Sequence, residues 1–148
     1  IMGSEIPFPF ATAVSTLPAA WLDDSISQTM RLLEEWNIPT RLASLQGYDG
    51  CFQGYVTDLA REWLNSLSPD ELQEVEIFSC GPTPMLKAVA SLAREFDLPC
   101  QVSLEEFMAC AVGGCAGCCV SVQTEQGEAM KRVCVDGPVF DAAAVFSE

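Results

Sequence analysis

Histidine is absent from this sequence of 148 residues, and basic side chains are scarce. Without an imidazole the chain cannot form a Ser-His-Asp or Cys-His nucleophile, a zinc site with histidine ligands or a Rieske centre. Seven basic against 21 acidic residues give a formal net charge of −14. Because such a chain repels phosphate backbones, we expect no nucleic-acid binding. The acidity indicates solubility or, as the alternative, an acidic docking face for a partner subunit.

Long apolar runs are missing too. No run approaches the roughly 18 residues of a membrane-spanning helix. No basic-then-apolar segment at the start resembles a secretory signal. We therefore expect a cytoplasmic protein without membrane contact. The first residues, Ile1-Met2-Gly3-Ser4, do not look like a natural start, which indicates a fragment of a longer protein.

Alternating strand and helix patterns predict an α/β fold for the first two thirds of the chain. Apolar residues at helical spacing predict helices from 24 or 25 to 36, from 55 to 67 and from 84 to 96. Short apolar runs predict strands at 40–45, 74–79 and 100–104. This alternation requires right-handed crossovers and therefore predicts a parallel sheet.

The pattern changes near residue 105. Glycine and cysteine replace the helical periodicity, and two strand patterns at 120–124 and 130–135 predict a β-hairpin. We therefore predict two domains, an α/β domain over residues 1–104 and a small β-rich, cysteine-bearing module over residues 105–148.

The cysteine loop is the most informative motif. Its spacing is C-x4-C-x2-C, and a fourth cysteine follows after fifteen residues, which gives the set Cys110, Cys115, Cys118 and Cys134. This spacing is typical of plant-type [2Fe–2S] proteins, in which four thiolates hold two irons. Cys119 is adjacent to Cys118, and since neighbouring strand residues point to opposite faces, only one of the two can face a cluster. The spacing favours Cys118.

Glycines make this loop flexible. Gly113, Gly114 and Gly117 are expected to let backbone N–H groups approach the sulfur atoms, which would stabilise an anionic cluster. Three alternatives stay open at this point. They are a disulfide framework, a structural zinc site and a redox CxxC motif. Zinc sites of four cysteines usually contain two CxxC pairs, whereas this chain has one, Cys115 with Cys118.

A second motif, Cys80-Gly81-Pro82-Thr83-Pro84-Met85, follows a predicted buried strand and opens a helix. Ligands of parallel α/β sheets bind at this end of the strands, where glycine permits close approach and a helix N-terminus favours anions. The usual GxGxxG phosphate loop is absent.

Two segments are recognisable, CGPTPMLKAVASLAREFDLPCQVSLEEFMACAVGGCAGCCVSVQ and KRVCVDGPVFDAAAVF. They closely resemble the C-terminal half of the electron-transfer subunit of NAD-dependent (class B) dihydroorotate dehydrogenase, in the ferredoxin–NADP reductase superfamily. The likeness extends from about Gly54 to Phe146. It implies a partial Rossmann-like parallel sheet with helices, the C-terminal part of an NAD-binding reductase-like domain, followed by a [2Fe–2S] module.

The resemblance also assigns residues. It implies that the four cysteines named above are the cluster ligands. The residues expected beside the nicotinamide are Cys80, Gly81, Pro82 and Met85, and those lining the dinucleotide site are Gly54, Thr57 and Asp58. The loop at 48–52 (YDGCF) departs from the serine-bearing loop of the family, which puts the adenosine-side contacts in doubt.

The implied function is an electron relay in pyrimidine biosynthesis. The cluster would pass electrons between the FMN of a catalytic subunit, which oxidises dihydroorotate to orotate, and FAD and NAD. No flavin-binding barrel and no Arg-x-Tyr-Ser motif occur, so FAD is expected only in the full-length protein and the fragment alone is not catalytically complete. A naturally short, ferredoxin-like carrier is the alternative.

Two other functions stay open on the sequence alone, a reductase subunit of a hydrogenase or other flavin complex and a zinc-stabilised interaction domain. An open sheet edge also predicts self-association.

Overall fold

The computed structural model describes residues 1–110 and 112–147. Within them the elements in chain order are β1 (Met2–Gly3), β2 (Thr12–Val14), β3 (Gln28–Met30), α1 (Arg31–Glu35), β4 (Leu42–Ser44), β5 (Phe52–Gln53), α2 (Val56–Ser66), α3 (Pro69–Leu72), β6 (Ile77–Cys80), α4 (Thr83–Glu95), β7 (Cys100–Ser103), β8 (Cys119–Thr124), β9 (Gly127–Arg132), α5 (Val133–Asp136), β10 (Val139–Asp141) and α6 (Ala142–Val145). Among these residues no helix combines the length and apolar character needed to cross a membrane. The chain divides into two compact units, Ile1–Ser68 and Pro69–Glu148.

The first unit contains a parallel sheet of order β1-β4-β5 and an antiparallel pair, β2 with β3. The central strand β4 is buried along its whole length, as its apolar sequence predicts. Helix α2 matches the predicted helix at 55–67 and buries Leu59 and Leu64. Its N-terminus is stabilised by the Asp58 carboxylate, which accepts a hydrogen bond of 3.0 Å from the Tyr55 N–H.

The helix predicted from residue 24 or 25 to 36 is wrong over its first half. Residues 28–30 form β3, and only Arg31–Glu35 are helical. Tertiary contacts explain the difference, because the Gln28 N–H donates to the Gly50 carbonyl and Thr29 is fully buried. A β-branched residue at such a site favours a strand. The predicted helix end is confirmed, since Asn37 takes a positive φ of 57° just after α1.

The second unit is built around β7. Strand β6 pairs with it in parallel register, α4 makes the crossover, and β10 pairs on its other side in antiparallel register. Helix α4 matches the predicted helix at 84–96. The core of this unit includes Leu86 and Val89 of α4, Val102 of β7 and Val133 of α5. Strands β8 and β9 form the predicted hairpin.

Strand β10 was not predicted, and it connects residues on both sides of position 105. Phe140 pairs with Val102, so the two sides share a sheet and a core inside the second unit. The predicted division into residues 1–104 and 105–148 stays a prediction about which segment acts as a cluster-binding module.

Candidate metal centre

The cysteine loop connects β7 to β8. The fourth cysteine, Cys134, follows the β8–β9 hairpin in the short helix α5. Register pairs Cys119 with Arg132, and the Val133 N–H donates to the Cys118 carbonyl over 3.0 Å. This brings α5, which carries Cys134, alongside the end of the loop. Val133 anchors the arrangement because its side chain is completely buried.

Two of the four predicted ligands are in direct contact, since the Sγ atoms of Cys118 and Cys134 lie 3.2 Å apart. The other two, Cys110 and Cys115, influence each other electrostatically, because the Cys115 thiol contributes to the lowered pKa of Cys110. The charge of Cys110 in turn contributes to the raised pKa of Cys134. In the part of the chain that the structure describes, the eight cysteines are free thiols and none forms a disulfide.

Hydrogen bonds shift the pKa values of these thiols. Backbone hydrogen bonds from Val112 and Cys115, with smaller contributions from the Cys115 thiol and the Gly114 backbone, lower the pKa of Cys110 to about 6. The backbone and then the thiol of Cys134 lower the pKa of Cys118. Conversely, the pKa of Cys134 is raised, chiefly by its hydrogen bond with the Cys118 thiol. The loop therefore favours the thiolate, the form that binds metals, at Cys110 and Cys118.

The candidate donors are all sulfur atoms. Among residues 1–110 and 112–147, no group of three or more His, Cys, Asp or Glu side chains is already arranged to hold a metal ion. A [2Fe–2S] cluster would need four cysteines, two on each iron, and the four predicted ligands supply that number. The backbone groups that lower the pKa of Cys110 would also stabilise a cluster sulfur there.

The loop glycines do not have equal roles. Gly113 has a φ of +74°, and a Cβ added there would collide with Cγ2 of Val135. A Cβ on Gly114 would meet nothing within 4 Å, and one on Gly117 would be in ordinary contact with Sγ of Cys115 at 3.4 Å. Ala116 also takes a positive φ, of 54°. The expected approach of a backbone N–H to a sulfur occurs at Gly117, whose N–H donates to Sγ of Cys115 over 3.4 Å, whereas the conformational need for glycine is strongest at Gly113.

Sequence reasoning missed Arg132. Its Nη1 donates to the Gly113 carbonyl over 2.9 Å, and its Nε lies 3.5 Å from Oδ2 of Asp136. The only signal available was the adjacency of a cation to a predicted ligand in KRVC, which does not reveal a contact across 19 residues.

The predicted nicotinamide residues lie at the junction of β6 and α4. Cys80 ends β6 with an exposed side chain, and Pro82 caps α4 by accepting hydrogen bonds from the N–H groups of Met85 and Leu86. Gly81 has a φ of +153°, and a Cβ there would lie 2.5 Å from Cε of Met85. The structure thus brings these residues together at the carboxyl end of a parallel strand, where ligands of such sheets bind.

The predicted dinucleotide-site residues of the first unit also lie at a strand-to-helix junction. Gly54 separates β5 from α2, and a Cβ there would lie 2.6 Å from the Phe52 ring. Thr57 is half-buried in the first turn of α2, and Asp58 is occupied with the Tyr55 N–H. These contacts give Gly54 and Asp58 structural roles of their own, and their nucleotide role stays a prediction.

A cavity of about 300 Å³ in the first unit was not predicted. Its lining is aromatic and polar, and consists of Pro7, Phe8, Phe10, Thr12, Gln28, Tyr48, Asp49 and Cys51. The Phe8 ring contacts both Phe10 and Tyr48, at centroid distances of 5.3 and 6.1 Å. The PFPF segment was the available signal, but the partners that complete the cavity are distant in sequence.

Fold and site together define a class. A parallel α/β arrangement with helices, followed by a small β-rich segment that carries the four spaced cysteines, is typical of a reductase-like protein with an iron–sulfur-type cysteine loop. A solved structure of an NADH-dependent reduced ferredoxin–NADP oxidoreductase, studied for flavin-based electron bifurcation, matches 79% of this chain and 38% of its own. The TM-score is 0.61 and the sequence identity 30%, which confirms the predicted fold class.

Residues 105–146 match the family model described as the iron–sulfur cluster binding domain of dihydroorotate dehydrogenase B. The electron transfer subunit of dihydroorotate dehydrogenase B (NAD(+)) from Caldanaerobacter subterraneus subsp. tengcongensis is 44% identical over 94 residues, 63% of this chain and 35% of that protein. The probable electron transfer subunit from Methanocaldococcus jannaschii is 32% identical over 139 residues, 89% of this chain and 50% of that protein.

The chain is therefore related to the electron transfer subunits of dihydroorotate dehydrogenase B, and the resemblance read from its motifs is confirmed. It spans about a third to a half of the length of these curated relatives.

Proposed function

We propose that this chain is the iron–sulfur electron-transfer part of an oxidoreductase complex of the dihydroorotate dehydrogenase type, acting in pyrimidine biosynthesis. The observation that carries the proposal is the contact of 3.2 Å between the Sγ atoms of Cys118 and Cys134, sixteen positions apart, within the segment that matches the iron–sulfur family. The spacing of the four cysteines alone permits other sites, whereas a fourth cysteine brought against the loop, with backbone groups that lower the pKa of Cys110, suits a two-iron cluster.

The roles of the residues follow from their surroundings. When bound, a [2Fe–2S] cluster accepts and releases one electron at a time. Cys118, only 3% exposed, would fix the inner side of the cluster, and the exposed Cys115 its outer side. Backbone N–H groups around Cys110 would stabilise thiolate charge without contributing a proton.

The remaining parts of the proposal concern cofactors of the whole complex. The junctions at Cys80–Met85 and Gly54–Asp58 would form part of an NAD site, and FAD would bind only in a longer protein. Support comes from their positions after parallel strands and from the reductase neighbour. This chain would supply the relay, and the proton chemistry on dihydroorotate would belong to its partner.

The proposed partner is an FMN-containing catalytic subunit, because the relatives are named as subunits of a dehydrogenase. No interaction with nucleic acid or membrane is proposed, and the location proposed is cytoplasmic. Self-association of this chain remains a prediction that light scattering can test.

A second candidate is the electron-transfer subunit of a different flavin reductase complex. The likeness to the NADH-dependent ferredoxin–NADP oxidoreductase favours it, since that match extends over 79% of this chain at 30% identity. The two candidates differ in the electron donor and the partner, and share the cysteine loop.

One experiment separates them. The tagged chain is recovered anaerobically from its native cells, and the bound partner is identified by its flavin and its mass spectrum. The complex is then mixed with dihydroorotate, with NADH or with reduced ferredoxin, and reduction is followed by EPR. Reduction by dihydroorotate through an FMN protein supports the proposal. Reduction by NADH or ferredoxin alone, with no FMN dehydrogenase recovered, contradicts it and supports the second candidate. A Cys134→Ser chain is the control that should give no signal with any donor.

A further inference from the structure

The peptide between Gly113 and Gly114 connects Arg132 to the surroundings of Cys110. Its carbonyl oxygen accepts a hydrogen bond of 2.9 Å from Nη1 of Arg132. Its N–H, on Gly114, makes the smallest of the backbone contributions that lower the pKa of the Cys110 thiol. The guanidinium and this N–H therefore act on the two ends of one planar unit. The positive φ of Gly113 sets the orientation of this peptide.

Arg132 is itself held in place. Its backbone N–H donates to Oδ2 of Asp136 over 2.8 Å, and its Nε lies 3.5 Å from the same oxygen. Val133, the next residue, is fully buried and bonded to the Cys118 carbonyl. The guanidinium therefore connects Gly113, in the first half of the cysteine loop, to the segment at Val133 that positions Cys118 and Cys134.

Charge makes this bridge relevant to redox chemistry. Lys131 and Arg132 are the only basic residues between positions 105 and 148, which also contain seven acidic residues. An iron–sulfur cluster gains negative charge when it is reduced, so a nearby cation favours the reduced form. A hydrogen bond to a peptide carbonyl also strengthens the N–H of the same peptide as a donor, and hydrogen bonds to sulfur help to set cluster potentials.

We propose that Arg132 is a positioning residue that orients the Gly113–Gly114 peptide toward the Cys110 sulfur and thereby raises the reduction potential of the cluster. The proposal rests on the proposed function, since it concerns the same cysteine loop. The side chain of Arg132 is 39% exposed, so solvent screens part of its charge and the oriented peptide carries much of the effect.

The test compares three variants of the full chain, purified anaerobically. Arg132→Gln removes both the charge and the guanidinium. Arg132→Lys keeps the charge but replaces the planar guanidinium with an ammonium group. Lys131→Gln removes a neighbouring charge that does not contact the Gly113 carbonyl. The midpoint potential from an EPR-monitored titration is expected to become more negative in Arg132→Gln. It should shift less in Arg132→Lys and least in Lys131→Gln. Equal shifts in Arg132→Gln and Lys131→Gln would overturn the proposal.

Hydrogen exchange supplies a second readout that needs no cluster. Loss of a charge-assisted hydrogen bond should speed exchange of the Gly114 amide by about tenfold in Arg132→Gln, with no change in Lys131→Gln. If the wild-type chain bound no iron and sulfide, the proposed function would fail, and exchange measured on the metal-free chain would still decide whether Arg132 holds the peptide. If the hydrogen-exchange rate of the Gly114 amide were unchanged in Arg132→Gln, the proposed role of Arg132 would be overturned, whether or not the chain holds a cluster.

Discussion

Replacing Gly113 with alanine tests the structure of the cysteine loop at its most constrained point. Gly113 has a φ of +74°, a conformation that costs a residue with a Cβ about 1–2 kcal/mol. The new methyl group would also collide with Cγ2 of Val135, and because that side chain is half-exposed the overpacking cost is at the low end of its range, about 1 kcal/mol. Together these terms predict that Gly113→Ala destabilises the closed loop by about 2–3 kcal/mol.

Gly114→Ala is the matched control. The same methyl group at Gly114 would meet no atom within 4 Å, and the φ of this residue is not in the left-handed region. The double variant Gly113→Ala/Val135→Ala removes the collision while keeping the backbone strain, so it should recover about half of the loss. The three variants therefore separate the steric cost from the conformational cost.

The assay is loss of the visible absorbance of the reconstituted chain in an iron chelator. Since each 1.4 kcal/mol corresponds to about a factor of ten, Gly113→Ala should lose its cluster at least about 30 times faster than wild type. Gly114→Ala should stay within about threefold of wild type. Equal rates for Gly113→Ala and Gly114→Ala would refute the described loop conformation.

The remaining predictions concern single side chains. Cys134→Ser should prevent cluster assembly while Cys119→Ser leaves the absorbance visible; bleaching by both would show that the ligand choice from spacing is wrong. In the metal-free chain Cys110, with its pKa lowered to about 6, should react with iodoacetamide down to about pH 6, whereas Cys51, whose pKa burial raises, should require alkaline pH. Because the folded pKa of Cys110 is depressed, its stabilisation of the loop is present at higher pH and is lost as pH falls through about 6; labelling independent of pH would contradict this. Asp58→Ala should lower stability by about 1 kcal/mol through loss of the α2 cap, seen as a lower Tm, and an unchanged Tm would contradict the role of the Tyr55 contact.

Periodic segments were predicted well from the sequence. Helix α2 lies within its predicted span and α4 matches its span to one residue at each end, because each repeats apolar residues at three- and four-residue spacing. The hairpin of β8 and β9 was predicted for a similar reason, with a polar turn between two alternating runs. In these segments local pattern and tertiary environment favour the same structure.

Prediction failed where distant contacts decide the conformation. Residues 28–30 have a helical pattern, but pairing with β2 and the contact with Gly50 make them a strand. Strand β10 is three residues long and forms because it pairs with β7, about forty positions earlier. Short segments of this kind carry too little local information to be recognised.

The cysteine loop shows the same limit. Spacing gave the four candidate ligands, but their pairing depends on the register of Cys119 with Arg132, which places Cys134 beside Cys118. The contact between Arg132 and Gly113 likewise depends on that register. Sequence therefore indicated the chemistry, and the fold determines which donors are neighbours.

The most direct test of the proposed electron relay is the iron and acid-labile sulfide content of the anaerobically purified chain, with EPR spectra before and after dithionite. The proposal predicts about two irons and two sulfides per chain, silent when oxidised and with a single-electron signal after reduction. Stoichiometric zinc, or free thiols that neither contain nor take up iron and sulfide on reconstitution, would contradict it.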